Sequence, residues 1–378
     1  MATVYVDIQP SIINWVVKQL DGKIINDNLM NNIQHWLTGT KKPTFRQIED
    51  LSKKSNIPLG YFFLKNPVEE KVRMIEYRTC DSIQLENPSR ELIDTIQQME
   101  KIQDWMKEYR QDEGFDKNNY VASLKVSDSK NHIVEQIRKD LGLDIDWCTK
   151  CNDPREAFNK IRELLVECNI LVLMNGCVGQ NTHRPLNLKE FRAFAMIDEF
   201  APLIFINAKD TLTGRLFSLL HEAVHIWLGE NDLFNSFNSG EKLVEVICNA
   251  VTAEIIVPNV VFLKYWKLDY GNNFHEKIQN IAKKFCCSDI VIARKALDNH
   301  KISQQEYDHI VRLTFECFQK SIEKKVSGGN FYNTLSSKLD RGLIKALLAS
   351  INSGRTAYTE AYRLTDTNSK TFAEITKN

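Results

Sequence analysis

The sequence LFSLLHEAVHIWLG over residues 216–229 is an apolar segment that contains two histidines. Its apolar side chains predict a buried helix. Asp210 or Thr211 can cap the start of that helix, and Gly229 marks its end. The polar groups within this segment therefore sit on a helix that is mostly buried.

Those polar groups are His221, Glu222 and His225, in the pattern His-Glu-x-x-His. The two histidines are four residues apart, so both rings can reach one Zn²⁺ from the same helix face. Burying them without partners is unfavourable, and a metal ion would satisfy them. Glu222 stands beside the first ligand, where it suits a general base that takes a proton from the attacking water. The pattern predicts a catalytic zinc site.

A third ligand is expected, because catalytic zinc sites use three protein ligands and leave one position open. Glu245 follows His225 by 20 residues and opens a second apolar helix that runs to Pro258. Glu241 is the alternative ligand, nearer the intervening loop. The order resembles that of gluzincins, in which a polar residue follows the glutamate by one helical turn. Asn249 holds that place and could orient His221 from outside the ligand set.

The flanks of the motif carry a wider family resemblance. The segments that carry it are Phe191–Asp198, Ala201–Asn207, Phe217–Glu222 and Glu245–Pro258, with weaker counterparts at Tyr77-Arg78-Thr79, residues 328–332 and residues 354–364. In this order they resemble the ImmA/IrrE family of zinc metallo-endopeptidases. Ala193 departs from the pattern, since the family usually has glycine after the arginine.

The resemblance implies a cytosolic zinc endopeptidase of narrow specificity. Its expected partner is a protein substrate such as a helix-turn-helix repressor, whose cleavage would derepress mobile-element or stress genes. The residues alone indicate only peptide-bond hydrolysis, and they do not separate Zn²⁺ from Mn²⁺. An oxyanion-stabilising group is also needed. The spacing does not select one from Tyr265, Tyr270, His275 and Tyr332.

The predicted fold is α+β and mostly helical, with a zincin-like (gluzincin) core around a small sheet. Four regions are expected. They are a helix-turn-helix module at 1–67, a helical connecting region at 68–168, the peptidase domain at 169–325 and a helical C-terminal region at 326–378. Residues 170–174 are predicted to form a strand. Residues 191–198 are expected to be an edge strand beside a buried strand at 202–207, and such an edge could bind an extended substrate.

The N-terminal region resembles the phage-repressor (XRE-like) type of helix-turn-helix. Helices are predicted at 8–20, 24–30, 32–37 and 44–55, with residues 32–37 at the place of the recognition helix. Residues 1–66 hold eight Lys and Arg against five Asp and Glu, which is only mildly basic. Trp36 suits a core better than a base contact. DNA binding and protein contact both stay open for this module.

Composition limits the class of protein. The 378 residues exceed one ordinary core, and 49 basic residues balance 49 acidic ones, so no global attraction to nucleic acid is indicated. A signal segment and a membrane-spanning run are not expected, and the protein is predicted to be cytoplasmic. Nine cysteines without a dense framework predict reduced thiols.

The cysteines offer few further motifs. Cys148 and Cys151 form a lone CxxC, and a structural metal would need two more ligands. Cys286 and Cys287 are expected to be packing residues. Cys248 lies on the second predicted helix and could approach the zinc.

Two other functions stay open from the sequence. One is a DNA-binding or sensor protein whose zinc site is not catalytic. The other is a toxin-antitoxin or phage-defence peptidase with a broader target.

Overall fold

The computed structural model describes residues 3–20, 27–68, 88–229, 239–268, 273–323 and 338–377. Within these ranges, the side chains of residues 239–242 and 318–323 are left undescribed. The family-like segments Tyr77-Arg78-Thr79 and 328–332 lie outside the described residues.

The N-terminal region is all-helical around its own small core. Its elements are α1 (Pro10–Gln19), α2 (Asp27–Leu37), α3 (Phe45–Ser55) and a 3₁₀ turn (Leu59–Phe63). Thr44 and Gln47 form a reciprocal capping box at the start of α3. The core of this region includes Ile13, Ile48 and Phe62, and all three are fully buried.

Two predictions for this region have different outcomes. The helices predicted at 24–30 and 32–37 are wrong as separate elements, because Asp27–Leu37 is one continuous helix. The segment has neither glycine nor proline to interrupt it, so the helix continues through Asn31. Trp36 is only 4% exposed and packs in the core, as predicted.

Three helices and a short turn lead to the sheet. They are α4 (Arg90–Asp112), α5 (Lys130–Asp140), a 3₁₀ turn (Trp147–Lys150) and α6 (Pro154–Glu167). The Asp153 side chain caps α6 by accepting from the backbone N–H groups of Arg155 and Glu156, each at 2.8 Å.

A three-stranded mixed sheet follows, with the strand order β1-β3-β2. Its strands are β1 (Leu171–Asn175), β2 (Ala193–Met196) and β3 (Leu203–Asn207). β1 runs parallel to β3, and β2 runs antiparallel to it. The prediction of an edge strand beside a buried central strand is confirmed, because β3 lies between the other two and all five of its residues are buried.

The two faces of the sheet differ in side-chain size. Ala193 and Ala195 belong to the same buried cluster as Leu219 and Ala223 of the motif helix. On the opposite face Phe194 stacks on Phe205, with ring centroids 5.1 Å apart. Small residues on one face of β2 let the motif helix approach the sheet closely. Alanine in place of the family's glycine at residue 193 fits this face, since it is fully buried.

The remaining helices complete a mostly helical α+β architecture. They are α7 (Leu212–Leu228), α8 (Ser239–Ile256), α9 (Asn259–Trp266), α10 (Phe274–Lys284), α11 (Asp289–Asp298), α12 (Gln304–Glu323), α13 (Arg341–Asn352), α14 (Tyr358–Thr365) and α15 (Ser369–Ile375). α8 begins six residues before Glu245, so the prediction that this glutamate opens the helix is wrong.

The chain divides into two compact units. One comprises residues 1–73 and 87–94, and the other comprises residues 74–86 and 95–378. The predicted boundaries after residues 67, 168 and 325 stay predictions. Among the described residues, no single helix is long and apolar enough to cross a membrane. The bent pair Leu243–Ile256 and Asn259–Trp266 meets the length and composition test only when its two helices are taken together.

Candidate metal centre

The motif helix α7 has defined ends that fix its histidines in place. At the start, the Thr211 hydroxyl accepts a hydrogen bond from the Gly214 N–H at 3.0 Å, which decides between the two predicted caps. At the end, Gly229 adopts φ +68° and donates its N–H to the carbonyls of His225 and Ile226. Thr211 and Gly229 therefore cap the two ends of α7, as predicted.

The functional side chains of α7 are almost completely shielded from solvent. His221 is 0% exposed, and Glu222 and His225 are each 3% exposed. Polar and ionisable side chains are rarely buried together unless they are paired with one another or bind a metal ion. The fold therefore shields all three of these side chains from solvent.

Packing of α8 against α7 brings Glu245 to the two histidines. The Nε2 atoms of His221 and His225 are 3.1 Å apart, and Glu245 Oε1 lies 3.1 Å from Nε2 of His225. The other carboxylate oxygen is 3.4 Å from Nε2 of His221. Among the described residues, these three form the one group of three or more acidic, histidine or cysteine side chains close enough to hold a metal ion.

These separations fit a tetrahedral ion. Zn²⁺ binds imidazole nitrogen at about 2.0–2.1 Å, so two tetrahedral ligands lie about 3.3 Å from one another. The separations between donor atoms of His221, His225 and Glu245 cluster around that value. Two imidazoles and one carboxylate are also the donor set of many catalytic zinc sites. Hydrogen bonding alone would not require all three groups to converge on one point. The residues present therefore fit the ion.

The pKa values of the ligands depend on one another when no metal ion is bound. Burial by itself would raise the pKa of Glu245, but hydrogen bonds and charge from His221 and His225 outweigh it and hold that pKa well below its ordinary value. Burial by itself would lower the pKa of His225. Cys248 and Glu245 act in the opposite direction, and the net pKa is raised well above its ordinary value.

Cys248, which the sequence predicted could approach the zinc, is a neighbour of the metal site. It is fully buried on α8, one turn after Glu245, and its thiol acts to raise the pKa of His225. Burial raises the pKa of this thiol. Asn249 is half-buried on the adjacent position of α8. Its predicted role in orienting His221 stays a prediction.

The remaining candidates lie elsewhere or beyond the described residues. The Tyr265 ring packs edge-on against Phe285, with centroids 5.4 Å apart. His275 belongs to α10, where its charge acts on Asp289. Tyr270 and Tyr332 lie outside the described residues, as does the side chain of Glu241. The choice of oxyanion-stabilising group therefore stays open.

The edge strand β2 packs against the motif helix and is shielded from solvent. All four of its residues, Ala193–Met196, are buried. The Met196 carbonyl already accepts a hydrogen bond from the Gln103 side-chain amide at 2.9 Å. Strand addition by a substrate at this edge stays a prediction, and it would require groups that now cover the strand to move.

Comparison with known proteins was consistent with this geometry. Residues 181–297 match the family model described as the IrrE N-terminal-like domain, Peptidase_M78. Residues 339–378 match the model of a domain of unknown function, DUF8813. Neither the curated proteins nor the solved structures contain a significant match to the chain.

The matched segment contains every residue of the metal-ion cluster. It also contains β2, β3 and α7–α10. The predicted resemblance is confirmed for the peptidase region, and the N-terminal helix-turn-helix stays a prediction. Residues 181–297 are thus similar to the IrrE N-terminal-like domain, Peptidase_M78, and they hold His221, His225 and Glu245 as the candidate metal site.

Proposed function

We propose that the protein is a zinc-dependent endopeptidase that cleaves a specific regulatory protein in the cytoplasm. The observation that carries the proposal is the convergence of His221, His225 and Glu245 at separations of 3.1–3.4 Å within an M78 domain. Glu222, buried beside these ligands, supplies the acid-base group that peptide hydrolysis requires.

The chemistry divides between the ion and Glu222. Bound zinc would polarise the scissile carbonyl and lower the pKa of the attacking water. Glu222 takes the proton that this water loses and later returns it to the leaving amine. Its burial removes competing solvent, and this strengthens its interaction with charge that develops in the transition state.

A narrow choice of substrate would follow from the buried site and the N-terminal unit. Because its two histidines and its general base are buried, the centre cannot accept an arbitrary folded protein, so a dedicated segment must reach it. The N-terminal unit offers a separate folded surface that could select the target. A helix-turn-helix repressor is the proposed substrate class, and its cleavage would switch on the genes it silences.

The test compares newly formed protein N-termini in cells that carry the wild type or Glu222→Gln, with and without stress. Replacing the carboxylate by an amide removes the general base and leaves all three ligands in place. We expect one new terminus that appears only with the wild type. Purified Glu222→Gln should retain one zinc ion per chain, as measured by elemental analysis.

The matched control is Glu199→Gln, which neutralises a carboxylate that pairs with Lys117 at the surface and is 64% exposed. This variant should cleave like the wild type. Identical termini in all strains, with zinc retained, would favour a sensor or DNA-binding protein with a non-catalytic site. Many new termini would favour a defence peptidase of broad target range.

A further inference from the structure

The fold brings four cysteines together far from the metal site in sequence. Cys148 lies within the 3₁₀ turn at 147–150 and Cys151 follows it directly, while Cys286 and Cys287 lie between α10 and α11. The Cys148 thiol donates to the Phe285 carbonyl at 2.8 Å. The Cys286 sulfur lies 3.9 Å from the carbonyl oxygens of both Cys148 and Cys151. We refer to these four residues as the cysteine cluster.

Cys148 and Cys286 each direct their sulfur at the other's segment of the backbone: the Cys148 sulfur lies 2.8 Å from the carbonyl oxygen of Phe285, and the Cys286 sulfur lies 3.9 Å from that of Cys148. Their interaction raises the pKa of the Cys148 thiol and lowers the pKa of the Cys286 thiol. A thiol of lowered pKa beside a protonated thiol is the arrangement in which one sulfur is the nucleophile and the other completes the bond.

The backbone of Cys286 places its side chain toward the CxxC turn. Cys286 adopts φ +51° just after the end of α10, where the Cys286 and Cys287 N–H groups donate back to the carbonyls of Lys283 and Ala282. Glycine is the usual residue at such a position. A cysteine here has a locally disfavoured backbone, and its sulfur contacts the turn that carries Cys148.

The cluster does not have the geometry of a metal site. Among the described residues, no three of its sulfur atoms come close enough together to count as a ligand group. Soft metal ions in structural sites require three or four thiolates at one point. The cluster offers a close pair with additional thiols nearby, which is the geometry of a dithiol. Cys151 is half-buried, so solvent reaches the cluster at this residue.

We propose that Cys148 and Cys286 are a thiol–disulfide site that a hydroperoxide oxidises to an internal disulfide. The Cys286 sulfur attacks the peroxide, the O–O bond breaks, and the alcohol leaves with a proton, so that a sulfenic acid remains. The Cys148 sulfur then attacks that sulfur, the S–O bond breaks, and the departing hydroxide takes the Cys148 proton to form water. Two thiols are oxidised, and one hydroperoxide is reduced to alcohol and water.

The disulfide would tie the CxxC turn to the junction between α10 and α11. This turn also contacts the end of the ligand-bearing helix, because Trp147 Nε1 donates to the Ile255 carbonyl of α8 at 3.0 Å. Arg138 donates to the same carbonyl at 2.8 Å. The crosslink would therefore stiffen the surroundings of the helix that carries Glu245. This inference does not depend on the proposed peptidase activity.

The test treats the purified full-length protein with hydrogen peroxide, blocks free thiols at low pH, and maps disulfide-linked peptides by mass spectrometry. The expected product is one linkage, Cys148–Cys286, reversed by dithiothreitol, with a higher thermal midpoint than the reduced protein. Cys148→Ser and Cys286→Ser should each abolish this linkage. Cys177→Ser is the matched control, since Cys177 is buried outside the cluster, and it should leave the linkage unchanged.

Three results would overturn the proposal. They are the absence of any linkage in peroxide-treated folded protein, a dominant linkage between other cysteines, and a second zinc equivalent in the wild type that Cys148→Ser lacks. The last would assign the cluster to a metal ion. The wild-type peptide map decides the matter by itself if a serine variant fails to fold.

Discussion

His225 is the residue on which the contacts of the metal centre converge. Its Nε2 faces His221 and Glu245, and the Cys248 thiol acts to raise the pKa of its ring. In the metal-free protein these contacts raise its pKa and lower that of Glu245. The ion pair therefore stabilises the metal-free protein above the ordinary Glu245 pKa of 4.5 and loses this effect as pH falls through the lowered value. At the alkaline end, the His225 contribution is complete below pH 6.5 and is lost as pH rises through its raised pKa.

This raised pKa predicts a pH-dependent metal affinity. His225 must lose its proton before Nε2 can donate a lone pair, so apparent zinc affinity should rise with pH by up to about tenfold per unit while the ring is protonated. Competition with a chromophoric zinc chelator between pH 6 and 8 measures it. In Cys248→Ala, which removes one contributor to the raised pKa, the rise should occur at lower pH. A flat affinity across this range in the wild type would contradict the prediction.

At the scale of elements, the end of α7 depends on a segment that precedes it by about a hundred residues in sequence. The N–H groups of Ala122 and Leu124 donate to the carbonyls of Ile226 and Trp227, at 3.0 and 2.9 Å. These bonds satisfy acceptors that a helix end leaves open. A side chain at Gly229 would meet this segment, because its Cβ would lie 2.7 Å from the Ala122 Cα.

Gly229→Ala should therefore destabilise the protein by more than the cost of placing alanine at a positive φ. The left-handed backbone costs about 1 kcal/mol, and the clash with neighbouring backbone brings the expected loss to roughly 3 kcal/mol in the free energy of unfolding. Urea denaturation of both variants measures it. Gly354→Ala is the matched control, with φ +74° and no atom within 4 Å of the added Cβ, and it should lose only the smaller amount. Equal losses would disprove the role assigned to the Ala122 segment.

A second element-scale feature is how the outer edge of β1 is covered. One Asp340 carboxylate oxygen accepts from the Val172 N–H at 2.9 Å, while the other caps α13 through the Leu343 N–H. Arg162 donates to the Val172 carbonyl at 3.0 Å. The C-terminal region thus supplies the group that closes this strand edge.

Asp340→Ala should lower the free energy of unfolding by about 2–4 kcal/mol, because it removes a cap and leaves a buried N–H of β1 without an acceptor. Asp153→Ala removes an exposed cap of α6 that has no contact with a strand, so its expected cost is about 1 kcal/mol. Chemical denaturation of the two variants side by side provides the comparison. A loss at Asp340 no greater than that at Asp153 would count against the strand-edge role.

At the scale of the whole molecule, the two compact units have separate hydrophobic cores. The N-terminal core includes Ile12, Ile33 and Phe62. The core that surrounds the metal centre includes Leu220, Trp227 and Cys248. Separate cores imply that each unit obtains its stability from its own burial.

Removal of residues 1–68 should therefore leave the metal site intact. We expect the shortened chain to bind one zinc ion with unchanged affinity, since its ligands and their core lie in the other unit. Elemental analysis and chelator competition on both chains test this. A shortened chain that folds but has lost its zinc would contradict the independence of the two units. Retained zinc with lost substrate cleavage would assign substrate selection to the N-terminal unit.

The sequence by itself determined what depends on local spacing. His221 and His225 share a face because residues four apart on any helix do so, and the apolar run around them could only be buried. Thr211 and Gly229 end the helix through backbone geometry that involves a few neighbouring residues. The same local logic failed at residues 27–37, which form one helix because no residue there compels a break, and at the start of α8.

Only the tertiary structure decided what depends on distant partners. It brought Glu245 to the histidines by packing α8 on α7, and it paired β1 with β3 rather than with the next strand in sequence. It also brought Cys148 close to Cys286, although in the sequence Cys148 belongs to a lone CxxC and Cys286 to a separate pair of adjacent cysteines. Spacing along a chain fixes which side chains share a helix face, whereas contacts across more than a hundred residues depend on how whole elements pack to bury their apolar surfaces.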